Sequence, residues 1–174
     1  KSNERRGSLK ASKILFLGNS LTLHGPRPDI EWFCNWGMAA TAAENDYVHR
    51  LTLAIKNRTK GDLLLDPADT KGSKGIENIR NIAAVFEVGY RTYEASNLDR
   101  QLQWKADIVI VQCGENVPAQ DFDATAFQRA LKTLLNDLKA ASDPHIFVAG
   151  NILWSNTGLD DIKKEVCADD PTKR

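Results

Sequence analysis

The sequence predicts a layered α/β domain with a mostly parallel sheet, and three observations carry that prediction. Short apolar runs, Ile14–Leu17, Asp107–Cys113 and His145–Ala149, each end at or beside a glycine, Gly18, Gly114 and Gly150, as strands buried on both faces do. Between them lie stretches with apolar residues at three- and four-residue spacing, the signature of helices with one buried face. Neither an internal repeat nor a linker divides the chain, and strands alternating with helices imply right-handed βαβ units. Residues 13–174 are therefore read as one domain, preceded by a polar segment over 1–12.

Composition narrows the function classes. The 174 residues include 42% hydrophobic and 26% charged positions, within the ordinary globular range, and suffice for one well-buried core. The 23 basic and 23 acidic residues balance, whereas a nucleic-acid footprint needs a basic stripe. No apolar run approaches the ~18 residues of a membrane span, and Lys1–Lys13 has no apolar core of a signal peptide. The compartment stays open: cytoplasm, or an exported chain whose leader is gone. Cys34, Cys113 and Cys167 form no CxxC pair, which argues against a zinc site or disulfide framework. Cys113 reads as a small buried hydrophobe. No metal or cofactor is expected.

In order, Ile14–Leu17 gives a first strand with Ser20 just past its end. That serine either caps the following segment or presents a hydroxyl at the carboxyl edge of the sheet, where open α/β sheets bind ligands. A Pro- and Gly-punctuated loop, Leu21–Trp36, carries Trp32, Phe33 and Trp36, expected to plug the top of the core. Gly37 is expected to open a helical run in which Tyr47, Val48, Leu51, Ala54 and Ile55 share a face, closed by Gly61. Leu63–Leu65 reads as a short strand and Asp66–Gly75 as a surface loop, without the spacing of a phosphate loop around Lys74. Ile76, Ile79, Ile82, Ala83 and Phe86 predict a helix running to about Val88. Leu98, Leu102 and Trp104 fit a short helix against the sheet. Asp121 or Asp123 should cap a helix lined by Phe127, Leu131, Leu134, Leu135 and Leu138. His145–Ala149 reads as a buried strand, and Leu159, Ile162 and Val166 as one face of a last helix.

Three groups converge on the carboxyl edge: the Ser20 hydroxyl, the Gly37 backbone N–H and the Asn116 side-chain amide. Acyl transfer needs a nucleophile and donors aimed at a developing oxyanion, and an asparagine amide donates without titrating.

These residues resemble the SGNH (GDSL-like) hydrolases. Gly18-Asn19-Ser20-Leu21 is similar to the family's first block, Gly-Asp-Ser-Leu, with asparagine in place of aspartate. Gly37 stands for the second-block glycine, and Gly114-Glu115-Asn116 resembles the third block, Gly-x-Asn-Asp, with Val117 in place of its aspartate. The stretch from Asn35 to His49 is similar to uncharacterised bacterial members. The resemblance implies a three-layer flavodoxin-like fold and a serine esterase acting on small acyl esters, acetyl among them, of a small molecule or saccharide. It makes Ser20 the nucleophile, and its own N–H, that of Gly37 and the Asn116 amide the oxyanion hole.

The family's fifth block, Asp-x-x-His, supplies the base, and no such motif follows Gly150. Three readings compete: the C-terminal strand–helix unit lies outside this chain, even docked as a separate fragment; another histidine substitutes; or catalysis is lost and the protein binds carbohydrate. The first is preferred. His24 is a weak candidate base, while His49 on a helix and His145 at a strand start read as structural. A flavin or nucleotide binder is a further rival, weakened by the missing phosphate loop.

Overall fold

The computed structural model describes residues 13–58, 77–153 and 157–169. Four strands, β1 (Ile14–Gly18), β2 (Glu77–Asn81), β3 (Ile108–Gln112) and β4 (His145–Ala149), form a parallel sheet in the order β2-β1-β3-β4. Ile14 stands opposite Glu77 on one side and Ile108 on the other, and Ile108 in turn opposite His145. The expected α/β class is borne out.

The apolar runs become the two central strands because both faces of those strands are covered. Every residue of β1 and β3 is buried. Alternation splits them between two cores. Leu15, Leu17, Val109 and Val111 face a large cluster with Phe86, Tyr90, Phe127 and Leu131, whereas Ile14, Phe16, Ile108 and Ile110 face a smaller one with Val48, Leu51 and Ile55. Helix α1 (Tyr47–Arg58) covers the second face. Helices α2 (Asp99–Trp104), α3 (Ala124–Ser142) and α4 (Thr157–Ala168) lie on the first, α3 and α4 packing on each other. The layers are thus helix, sheet and helices.

Helix α3 follows the expected face: Phe127, Leu131, Leu134 and Leu138 are buried and Leu135 is half-buried. Asp123, not Asp121, caps it, accepting the Ala126 N–H at 2.9 Å, and the left-handed Asp143 ends it. The last helix matches its expected face too, with Leu159 and Val166 buried.

Four expectations are corrected. First, the stretch expected to be helical from Ile76 to Val88 divides into strand β2 and a π-helical turn, Ala83–Val88. Its spacing misleads because Ile79 packs on the α1 side of the sheet while Ile82 and Phe86 pack on the other. As a strand paired only with β1 among the described residues, β2 needs few apolar side chains; backbone ladders hold it. Second, no helix opens at Gly37. The chain stays in loops and a short 3-10 turn until Asp46, and α1 begins at Tyr47. Third, Trp32 and Trp36 belong to neither core cluster. They pack edge-on against each other at 5.8 Å, their indole N–H groups donating to the carbonyls of His24 and Ala40, and Phe33 is 69% exposed. Fourth, β4 is only partly buried, with His145 and Phe147 exposed. The expected strand at Leu63–Leu65, the Gly61 helix end and the loop over Asp66–Gly75 lie outside the described residues.

Candidate active site

The sheet order places a crevice between β1 and β3. From β1 the chain runs to β2 on one side, then crosses to β3 on the other, and the loops diverge at that switch point. The segments bearing Ser20 and Asn116 leave the carboxyl ends of those two strands.

Ser20 sits in a tight turn organised by Asn19. The Asn19 carbonyl accepts the N–H groups of Thr22 and Leu23 at 3.0 and 3.1 Å, and its side-chain oxygen accepts that of Leu21 at 2.9 Å. This reproduces an Asx turn, with Asn19 fully buried. Ser20 is half-buried, its carbonyl accepts the Met38 N–H at 2.9 Å, and its hydroxyl has no hydrogen-bond partner among the described residues. The capping role weighed for Ser20 thus falls to its neighbour.

Gly37 lies against that turn. A Cβ added to it would stand 2.1 Å from the Leu21 carbonyl oxygen, so only glycine permits the approach. Its N–H donates to Asp46 Oδ2 at 3.3 Å. Asp46 is 3% exposed, and its other oxygen accepts the His49 N–H and meets His49 Nδ1, both at 2.7 Å. Asp46 is therefore the N-cap of α1. The helix start expected at Gly37 thus lies ten residues on, at Tyr47.

Asn116 is exposed, but its Nδ2 donates to Glu87 Oε2 at 2.5 Å. Glu87 is fully buried, and its Oε1 accepts Asn19 Nδ2 at 3.0 Å and the Gly114 N–H. Gly114 has φ +140°, a region that favours glycine, and a Cβ there would meet Asn151 Oδ1 at 2.2 Å. Asn19 Nδ2 also donates to Glu115 Oε2 at 3.2 Å, which takes Gln112 Nε2 at 3.0 Å as well. Glu115 Oε1 accepts the Ile152 N–H at 2.5 Å. An aspartate at 19 would set a third carboxylate against two others, whereas asparagine bridges them.

The structure thus ties all three expected residues to one edge: Ser20 to the Gly37 loop through Met38, and Asn19 to Asn116 through Glu87. Beside the Ser20 turn lies a cavity of about 210 Å³, lined by Leu21, Gly37, Ala40, Asp46, Tyr47 and Ile152 among others. Burial pushes the Tyr47 hydroxyl up to about 12, partly opposed by its 2.7 Å bond to Thr22 Oγ1, so it stays protonated at neutral pH. Burial likewise pushes the Cys113 thiol up to about 12, against the pull of nearby Lys163, which makes it an inert core group.

None of the three histidines is bonded to Ser20. His24 Nδ1 meets the Gly25 carbonyl at 2.6 Å, His49 is paired with Asp46, and His145 is exposed at the start of β4, the far edge of the sheet. Among the described residues no group of three or more His, Cys, Asp or Glu side chains is placed to hold a metal ion, and no helix is long and apolar enough to cross a membrane. Sequence reasoning missed Glu87 and the Asp46–His49 pair. The second carried a readable signal, since Asp46-Tyr-Val-His49 is itself an Asp-x-x-His spacing; Glu87 carried none.

No family model matches the chain, and no curated protein matches it by sequence. Among solved structures it is similar to the psychrotrophic esterase EstA from Pseudoalteromonas sp., in a form inhibited by monoethylphosphonate, with a TM-score of 0.53 and 16% identity over 90% of this chain and 74% of that one. It also matches a family two carbohydrate esterase from Clostridium thermocellum in complex with cellohexaose, with a TM-score of 0.47 and 22% identity over 92% of this chain. An active-site mutant of a family two carbohydrate esterase from the same organism matches with a TM-score of 0.45 and 19% identity. The chain spans half the length of these two. At such identities the likeness concerns architecture, and the chain shares the three-layer α/β fold of the esterase EstA.

Proposed function

We propose that the chain is an SGNH-type serine hydrolase that cleaves small acyl esters, with Ser20 as nucleophile. The observation that carries this reading is the Ser20 hydroxyl, unpartnered among the described residues, on a turn at the carboxyl end of a central strand and beside a small, mainly apolar cavity. Ser20 Oγ attacks the ester carbonyl carbon and its proton passes to a histidine base. The N–H groups of Ser20 and Gly37 and the amide of Asn116 receive the developing oxyanion. The alcohol leaves, and water then releases the acyl group from the enzyme. A base on an Asp-x-x-His segment outside these 174 residues completes the site.

The cavity of about 210 Å³ beside the Ser20 turn, with Leu21 and Ile152 in its wall, offers an apolar surface to an acyl group. Exposed Phe33, next to the Trp32–Trp36 pair, supports a saccharide alcohol, because flat apolar faces suit sugar rings. The fold shared with the esterase EstA agrees with this reading, and the form of EstA inhibited by monoethylphosphonate motivates the probe.

The test is labelling by a serine-reactive fluorophosphonate, with the chain alone and with the gene's downstream segment restored. Labelling that disappears in Ser20→Ala, together with faster hydrolysis of acetyl than of octanoyl esters, is the expected result. Absence of labelling in both forms, with saccharide binding intact, would replace the enzyme by a binding protein.

A further inference from the structure

We infer that Glu87 is a positioning residue that fixes the direction of the Asn116 amide, an inference that rests on the proposed role of Asn116 as oxyanion donor. Two features make Glu87 unusual. It is a fully buried carboxylate on a π-helical turn, a helix form that concentrates at functional sites. It also makes no ion pair among the described residues; its partners are three neutral N–H donors from Asn19, Gly114 and Asn116. The π geometry is visible in the backbone: the Ile82 carbonyl accepts from Phe86 at 2.8 Å and from Glu87 at 3.4 Å. That extra residue in the turn lets Phe86 enter the aromatic core while Glu87, its neighbour, turns toward the crevice, both with no exposure.

The chemistry follows from what a carboxylate accepts. An exposed asparagine amide has two orientations of nearly equal shape, one presenting NH₂ and one presenting oxygen. Both Glu87 oxygens accept from N–H donors, so Glu87 acts toward Asn116 as an acceptor: the NH₂ end of the amide is held and the oxygen end would find no donor. One N–H of the amide is spent on Glu87, and the other makes no bond to another described residue. Both Asn19, which shapes the Ser20 turn, and Gly114, which begins the Asn116 loop, are anchored on Glu87 Oε1. The same side chain therefore sets the spacing between nucleophile turn and donor loop.

The obvious variant is Glu87→Gln, which keeps the volume and places an amide NH₂ against Asn116 Nδ2. Asn116 then turns its oxygen to that new NH₂ and its own donor away. With the downstream segment restored, the fluorophosphonate labelling rate falls about a hundredfold in Glu87→Gln. It falls similarly in Asn116→Ala and no further in the double variant, because one residue acts through the other. For ester hydrolysis the loss is expected in kcat, with KM little changed. Losses that multiply in the double variant, or wild-type labelling in Glu87→Gln, overturn the inference. A second readout needs neither activity nor the variant: the ¹H–¹⁵N spectrum of the wild-type chain should show one Asn116 side-chain proton shifted downfield and slow to exchange with solvent. An Asn116 amide with two ordinary, fast-exchanging protons overturns it too. If the wild-type protein labels in neither form but that proton is present, the esterase reading fails while the placement of Asn116 by Glu87 stands.

Discussion

Gly37 and Asp46 meet in the wall of the cavity beside the Ser20 turn, the glycine N–H donating to a buried carboxylate oxygen at 3.3 Å. That is long against the usual 2.9–3.0 Å, so the bond is weak and the donor is readily yielded to a better acceptor. The stronger bonds of Asp46 go to the first turn of α1, where it accepts the His49 N–H at 2.7 Å. Removing the side chain in Asp46→Ala should lower stability by about 1–2 kcal/mol through the lost cap, read as a shift in the urea midpoint. Asp46→Asn keeps a capping oxygen and should lose less than half of that. An unchanged midpoint in the alanine variant would show that the cap contributes nothing.

Gly114 is held at φ +140°, and an added Cβ would meet Asn151 Oδ1 at 2.2 Å. The nearby Lys163 Nζ, itself donating to Asn151 at 2.6 Å, leaves little room for that amide to retreat. Gly114→Ala should therefore destabilise by about 1–3 kcal/mol, as overpacking does, and chemical denaturation with the slope unchanged is the check. Wild-type stability would mean that Asn151 swings aside freely.

Alkaline stability has a definite sign. The Cys113 thiol rises from an ordinary 9.0, and the Tyr47 hydroxyl from 10.0, each to about 12, through burial. Between those values the folded chain holds protons that the unfolded chain has released. Stability is thus complete below pH 9 and falls as pH climbs toward 12. Urea midpoints measured on both sides of pH 9 should decline only on the alkaline side, and Cys113→Ala should flatten the first part of that decline. A flat profile in the wild-type chain would contradict the burial of these groups.

Phe127 touches Phe86, Tyr90 and Phe122 at centroid distances of 5.7–6.0 Å and is fully buried. Phe127→Ala should cost about 3–5 kcal/mol, whereas Leu53→Lys, at a position 57% exposed on α1, should shift the midpoint by less than about 0.5 kcal/mol. Equal effects of the two would place Phe127 outside the core.

The legible parts of the sequence are those where a force left a pattern. Strands β1 and β3 are buried on both faces, so their apolar runs stand out, and α3 shows its face because Phe127 to Leu138 line a single core. Strand β2 leaves no such trace: Glu77-Asn-Ile-Arg-Asn81 is specified by pairing with β1, and backbone hydrogen bonds have no sequence signature. The partial exposure of β4 was hidden for the opposite reason, since its apolar residues look the same whether or not a neighbour covers them. At the site, turn chemistry placed Ser20, Gly37 and Asn116 on one edge. Their acceptors could not be read, because Asp46 resembles any helix cap and Glu87 resembles the solvent side of a helix.

The π turn from Ala83 to Val88 has a consequence for how this chain tolerates change in length. A regular α-helix advances ~100° per residue, so deleting one residue of the turn would rotate the chain beyond it by about that angle. Such a deletion would leave composition, charge and hydrophobic content almost untouched. It would nevertheless swing position 87 out of the crevice, scattering three donors that now share one carboxylate. Substitutions in this segment are graded in their effects, but its residue count is all-or-none.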